Sequence, residues 1–232
     1  MKRVRGLLLD FYGTLVHEDE VNIAAICAKI HRNAGVRVTI EEVGSFWSQS
    51  FFNWCDRAHG DGFLTQREIS IGSLAETVAH FNAAISAESL IVPQFAHWVA
   101  PPIFADTQSF LAGVQELGIP ICIVSNVDRI DIEAAMAFHG LQFDHLITSD
   151  DVHAYKPRSE MFVAALERLG LRHDEVLHIG DSRSSDVGGA IAMGIPVAWV
   201  DRTGKPPGGE PIADYTVTTL AELLSIVRDL AV

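Results

Sequence analysis

The apolar positions of this chain follow two different rhythms. Short, nearly continuous apolar runs recur at residues 4–9, 119–124, 145–148, 176–179 and 197–200. Between the later runs lie amphipathic segments of helical length, at residues 108–117, 130–139, 159–169 and 184–193. A strand buried on both faces reads as an unbroken apolar run, and such strands alternating with helices form a parallel sheet covered on both sides. The pattern therefore predicts an α/β fold, a Rossmann-like parallel sheet core flanked by helices. Residues 22–90 keep a different beat, with no comparable strand runs and with Ile23, Ile26, Cys27 and Ile30, then Leu74, Val78 and Phe81, at helical spacing. This predicts a small α-helical domain, residues 19–90, inserted into a core made of residues 1–18 and 91–232. Pro93, Pro101 and Pro102 are expected to mark the return to the core, because proline stops helices. The tract GKPPGGEP at 204–211 reads as a surface loop.

Composition narrows the partners. A hydrophobic content of 48% over 232 residues is enough for a full core, and a formal net charge of -13 argues against a nucleic-acid partner, which would need clustered Lys and Arg. No run approaches the roughly 18 apolar residues that span a bilayer, so no membrane partner is expected. The basic start MKRVR precedes an apolar run that breaks at Asp10, too soon for a signal peptide. Cys27, Cys55 and Cys122 are odd in number and far apart, which reads as reduced thiols and a cytoplasmic location. A monomer or homodimer acting on a small-molecule substrate is expected.

Four polar clusters stand where apolar strands end: Asp10 to Thr14, Ser125 with Asn126, Lys156 with Pro157, and Gly180 to Asp186. Ligands of open α/β sheets bind beyond the carboxyl ends of strands, so clusters placed there converge on one site. Taken singly, each has an ordinary explanation as a turn or helix cap. Together and in this order, DFYGT, SN, KP and GDSRSSDVGGA resemble the four motifs of the haloacid dehalogenase superfamily of aspartate-nucleophile hydrolases. The resemblance spans essentially the whole chain, the helical insert corresponding to that family's cap.

The resemblance implies that Asp10 is the nucleophile. It implies magnesium held by the carboxylates of Asp10 and Asp181 and the backbone carbonyl of Tyr12, with Asp186 binding directly or through water. Lys156 would offset the remaining charge and orient Asp10, Ser125 and Asn126 would hold a phosphate, and Thr14 would support the loop. The residues suit that chemistry: three carboxylates in one pocket cannot all stay ionised without a cation, and hard oxygen donors suit magnesium.

Tyr12 complicates the reading. Phosphatases resembling this chain usually carry there an aspartate that protonates the leaving alcohol, whereas the dehalogenases carry tyrosine, since a departing halide needs no proton. A phenol is poorly matched to acid/base work near neutrality. Against dehalogenation, those enzymes have a serine where this chain has Asp181, use no metal, and place a cap arginine about where this chain has Ser48. The expectation is therefore a magnesium-dependent phosphohydrolase that cleaves a small phosphorylated metabolite through an aspartyl-phosphate. The alternatives are a 2-haloacid dehalogenase using Asp10 to displace halide, or a non-catalytic relative that binds metal and phosphate. His17, Glu18, Asp19 and His59 are candidates to replace the missing acid, and Trp47, Phe51, Trp54 and Arg57 to line the entrance.

Overall fold

The computed structural model describes residues 3–202 and 212–231; the tract at 204–211, expected to be a loop, lies outside them. Six strands form one parallel sheet: β1 (Gly6–Leu9), β2 (Ile121–Ser125), β3 (His145–Thr148), β4 (Val176–Gly180), β5 (Val197–Val200) and β6 (Tyr215–Val217), in the order β3-β2-β1-β4-β5-β6. The first strand lies in the middle, Leu7 opposite both Ile121 and Leu177. From β1 the chain winds outward first to one side and then to the other, which leaves a cleft above the carboxyl ends of β1, β2 and β4. β6 was not legible in the hydrophobic pattern: it is three residues long at the sheet's edge, and its central Thr216 is exposed.

Both faces of the sheet are covered, as unbroken apolar strands require. Leu7, Leu9, Ile123, Leu177 and Ile179 pack with α5 (Thr107–Glu116), α6 (Arg129–His139) and α10 (Leu220–Ala231). Leu8, Cys122, Val124 and Val176 pack on the other face with α8 (Glu160–Leu169). Each large side chain buried in these layers is worth about 1.5–3 kcal/mol relative to exposure. Two short helices, α7 (Ser149–Val152) and α9 (Gly189–Ala192), complete the core; the segment expected as a helix at 184–193 opens as a π-helical turn, Arg183–Gly188, before α9. All three cysteines are free. Among the described residues, no helix is long and apolar enough to cross a membrane.

The insert holds four helices, α1 (Glu20–Asn33), α2 (Ile40–Arg57), α3 (Gln66–His80) and α4 (Ala87–Val99), around a core of its own that includes Ile26, Ile30, Val43, Trp47 and Leu74. Thr39 with Glu42 and Thr65 with Glu68 form capping boxes that start α2 and α3. Pro93, expected to lie in the return to the core, sits inside α4. An interior proline costs a helix about 3 kcal/mol. The buried Leu90, Ile91, Gln94 and Trp98 on either side of it hold the helix together through Val99.

Candidate active site

Three strand ends bring the candidate residues together. Asp10 follows β1, Ser125 ends β2, and Asp181 follows β4, while Lys156 is carried in by the segment before α8. Backbone geometry makes room for this crowding. Gly13 takes φ +80°, and a Cβ there would meet the Asp181 carboxylate at 2.4 Å; at Gly180 it would meet the Asp186 carboxylate at 2.2 Å. Glycine is required at both places by close approach, and at Gly13 by backbone conformation as well.

Lys156 is the electrostatic centre. Its ammonium, almost wholly buried, donates to Asp10 Oδ1 at 2.7 Å, to Asp186 Oδ1 at 2.6 Å and to the Val124 carbonyl at 2.8 Å. Burial alone would lower the lysine, but the two carboxylates outweigh it and hold it above its ordinary range. Burial likewise opposes the charge on Asp186, yet the Lys156 charge and the bond from His178 Nε2, 2.9 Å away, keep its carboxyl well below the usual range. Its other oxygen accepts from the Ser182 backbone N–H at 3.0 Å. Asp10 is raised by burial, with Lys156 pulling the other way and Asp186 adding to the rise. Its Oδ2 has only the weak approach of the Thr14 hydroxyl at 3.5 Å, so this oxygen faces the cleft least committed.

Asp181 settles its charge differently. One of its oxygens lies within 4.8 Å of an oxygen on each of Asp10 and Asp186, and Thr14 Oγ1 stands 3.3 Å from its Oδ1. Burial first, then the charges of Asp10, Glu18 and Asp186, raise its pKa well above the ordinary carboxylate range. The crowding of the carboxylates is eased by the ammonium of Lys156 and by the raised pKa of Asp181.

Asn126, expected to hold substrate, spends its side chain on the scaffold: Nδ2 donates to the Lys156 carbonyl at 3.0 Å and Oδ1 accepts from the Lys156 N–H at 2.7 Å. Ser125 lines the cleft. Tyr12 also lines it, but its hydroxyl donates to the Trp98 carbonyl at 2.6 Å, and burial followed by the charges of Asp131, Asp10 and Asp19 raises the phenol further above its usual range.

The cavity holds about 380 Å³ and opens to solvent, with residues of the insert forming its roof. Of the residues suggested for the entrance, Trp47 and Phe51 line it, joined by Phe52 and Trp98, whereas Trp54 and Arg57 border a separate hollow. Glu18 and Asp19 face the cavity; His17 instead stacks on Phe104, and His59 is elsewhere. Glu18 sits at the mouth, where partial removal from water, together with the charges of Asp10, Asp19 and Glu20, pushes it up to about 7.

Several supporting residues escaped sequence reasoning. His178 looks like a strand residue within VLHIG, and only its polarity in an otherwise apolar central run could have marked it. Arg202 donates to the Thr14 carbonyl at 2.7 Å and to Asp106 at 2.8 Å, pinning the turn after β1 from 188 residues away. Trp98 Nε1 donates to Asp19 at 2.7 Å, tying the end of α4 to the start of α1.

A family model described as haloacid dehalogenase-like hydrolase matches residues 4–194. The chain is 26% identical to an (S)-2-haloacid dehalogenase of Pseudomonas sp. (strain YL), across 100% of this chain and 97% of that one. It is also 26% identical to an (S)-2-haloacid dehalogenase of Pseudomonas fluorescens, across 87% and 86%. Its fold superposes on the L-2-haloacid dehalogenase of Xanthobacter autotrophicus with a TM-score of 0.74 at 23% identity, covering 97% of this chain and 98% of the other. These relatives overturn the expected phosphohydrolase. That expectation rested on Asp181 and on the need for a cation among the carboxylates. Lys156, expected to offset the remaining charge, is paired with Asp10 and Asp186 at once. With four motifs meeting in one strand-end cleft and a family match of this length, the chain belongs to the haloacid dehalogenase-like hydrolases.

Proposed function

We propose that the protein is a hydrolytic dehalogenase in which Asp10 displaces halide from a small 2-halo compound. The observation that carries this reading is the Tyr12 hydroxyl. Where an ester-cleaving enzyme needs an acid to protonate an alkoxide, this chain has a phenol of raised pKa whose proton is already given to the Trp98 carbonyl. Halide departs as a stable anion and needs no proton, so the arrangement suits a carbon–halogen bond. The similarity to two (S)-2-haloacid dehalogenases supports the same chemistry.

In the first step Asp10 Oδ2 attacks the carbon bearing the halogen, the carbon–halogen bond breaks, and halide leaves with its electron pair. Lys156 holds Oδ1 and so fixes the plane from which Oδ2 attacks, which is the positioning part of the rate. The product is an ester of Asp10. In the second step water gives a proton to a base and adds to the acyl carbon of that ester; the acyl–oxygen bond breaks, the departing alkoxide takes that proton from the base and leaves as the alcohol, and the Asp10 carboxylate is restored with release of one proton to solvent. The proton lost by water needs a base. Glu18, raised to about 7 and facing the cavity, is poised to take it near neutral pH.

The oxygens of Asp10, Asp181 and Asp186 are close enough to suit a hard cation such as magnesium, which would supply further positive charge beside the nucleophile. The displacement itself runs on the chain's own groups. The test is halide release from a panel of 2-chloro and 2-bromo compounds, with and without chelator, combined with single-turnover labelling in heavy-oxygen water. Label entering Asp10 in the first turnover supports the ester. Release of phosphate from esters without any release of halide would overturn the proposal.

A further inference from the structure

The insert contributes large apolar side chains to the cavity that holds Asp10: Ile23 from α1, Trp47, Phe51 and Phe52 from α2, and Trp98 from α4. Packing accounts for three of them. Trp47 belongs to the insert's own core, Trp98 is buried and bonded to Asp19, and Phe51 packs beside Ala58, Ile69 and Tyr155. Phe52 and Ile23 have no such explanation. They are 54% and 37% exposed, and neither is part of a buried apolar cluster. Single exposed apolar residues are ordinary on any protein. These two come from separate helices and border one opening, and among the described residues no other large exposed apolar side chain lines this cavity. Together they make an apolar lip continuous with the space above the nucleophile.

The size of the space says what reaches that lip. A cavity of about 380 Å³ falls among sites of roughly 300–1,000 Å³, which enclose molecules of drug size, whereas 2-chloropropionate has only a handful of non-hydrogen atoms. With the reacting carbon held at Asp10 Oδ2, the substituent on that carbon is the part of a substrate with room to extend. The apolar surface available to it includes Trp47 and Phe51, four apart on one face of α2, with the Phe52 ring 5.9 Å from that of Phe51. An apolar substituent lying there removes water from both surfaces, each buried methylene being worth about fourfold in binding. A polar one would give up its water against the rings with no hydrogen bond in exchange.

Building on the dehalogenase reading, we infer that Ile23 and Phe52 seat the outer part of an apolar substituent, and that the substrate class is a 2-halo compound carrying a long alkyl or aryl group on its reacting carbon. The bond changes are those already set out. Asp10 displaces halide, the ester is hydrolysed, and the 2-hydroxy product leaves with its apolar group intact.

The test follows halide release from (S)-2-chloropropionate, (S)-2-chlorohexanoate and (S)-2-chlorooctanoate, each below the concentration at which it forms micelles. The expected kcat/KM rises along the series and is at least about tenfold higher for the octanoate than for the propionate. Phe52→Ser and Ile23→Ser, at exposed positions and checked for folding by circular dichroism, should each lower the octanoate-to-propionate ratio several-fold, chiefly by raising KM for the octanoate. Phe52→Leu, which keeps an apolar surface, should preserve most of the ratio. Sedimentation should give one oligomeric state for all four proteins. A flat or falling series in the wild type, or a ratio that neither serine variant changes, would overturn the lip while leaving dehalogenation standing. So would a change of oligomeric state in the serine variants, which would make the lip a contact between copies of the chain. Halide released from none of the series, nor from other 2-halo compounds, would overturn the dehalogenase reading and the lip with it.

Discussion

The floor and the roof of the cavity are built on opposite principles. On the floor, Asp10, Lys156, Asp186 and His178 are bound to one another at 2.6–2.9 Å, and their charges are settled before any substrate arrives. In the roof, helices of the insert present aromatic rings and neutral polar atoms, three of which have no partner. A floor braced by its own ion pairs is preorganised for one reaction, because the groups facing the reacting atoms do not have to move during it. The roof meets the part of a substrate that lies away from the reacting atoms, and this is how a pocket favours one substrate over another. Changes to the floor should therefore strike every substrate alike, and changes to the roof should separate them.

The sharpest check on that contrast is the nucleophile. Asp10→Asn should lower halide release by about 10⁴-fold or more for every 2-halo substrate alike, since removing a group that forms the covalent intermediate costs rates of this order. Mass spectrometry of quenched enzyme should detect an adduct on the wild type and none on the variant. A residual rate of a few per cent would mean that the floor does not act as a unit.

Sequence and structure agree most closely on the floor, for a physical reason. The strands are buried on both faces, so their apolar runs stand out, and the reactive residues follow those runs directly; His145–Thr148 and Val197–Val200 coincide with the expected bounds. Asp10, Thr14, Ser125, Lys156, Asp181 and Asp186 are brought to one cleft as the four motifs implied. The direction in which Tyr12 points was not legible, because it depends on a carbonyl 86 residues away at the end of α4. Arg202 and Asp106 were invisible for the same reason. The roof was legible only as helices: which faces of α3 and α4 look into the cavity is set by how the insert docks, and no local spacing records that. The phosphohydrolase expectation was overturned by the relatives and not by the placement of these groups: Tyr12 alone argued for dehalogenation, and the weight given to Asp181 was set against it.

Lys156→Met tests whether the floor is held together by its one cation. Removing a single partner from a buried ion cluster costs about 3–5 kcal/mol, because the carboxylates left behind are buried and unpaired. Urea unfolding at pH 7 should show a loss of that order, together with loss of halide release from every substrate. The pH dependence has a definite sign. Asp186 is held below the ordinary carboxylate range, so its favourable contribution is present above that range and fades as pH falls through its folded pKa. The deficit of the variant should therefore be greatest near neutrality and shrink in acid as its carboxylates take up protons. A deficit independent of pH would place the role of Lys156 in packing.

Glu18 stands between floor and roof, and its effect should be smaller. Glu18→Gln should lower turnover by about 10²-fold, the lower end for a general base, and prolong the life of the ester more than it slows its formation. In the wild type the ester-hydrolysis rate should rise with pH through about 7, as Glu18 loses its proton, and this inflection should vanish in the variant. An unchanged inflection would assign the step to another carboxylate, Asp181 first.

The smallest expected effect lies where roof meets floor. Asp128 on the core accepts the backbone N–H groups of Gln66 and Arg67 at 2.6 and 3.0 Å and so caps α3, the helix that carries Gln66 and Ser70, while Arg67 reaches across to Asp131 at 2.8 Å. Burial, only partly offset by those two N–H groups, raises Asp128 to about 6. Its ionised form is therefore disfavoured in the folded protein. The associated stabilisation is complete below the unfolded carboxylate pKa of about 4 and is lost as pH rises through about 6. Asp128→Asn keeps one acceptor for the helix end and carries no charge to bury, so near pH 7.5 it should cost no more than about 1 kcal/mol, the usual scale of a helix cap. Because the asparagine does not titrate, the variant should fall further behind the wild type as pH drops from 7 toward 4. Paired denaturation curves at several pH values measure this directly. If roof and floor are divided as described, the same variant should raise KM for the 2-halo substrate, through the displaced end of α3, and leave kcat nearly untouched. A fall in kcat with KM unchanged would mean that the helix end supports the reacting groups, and that the boundary between the two halves of the cavity lies elsewhere.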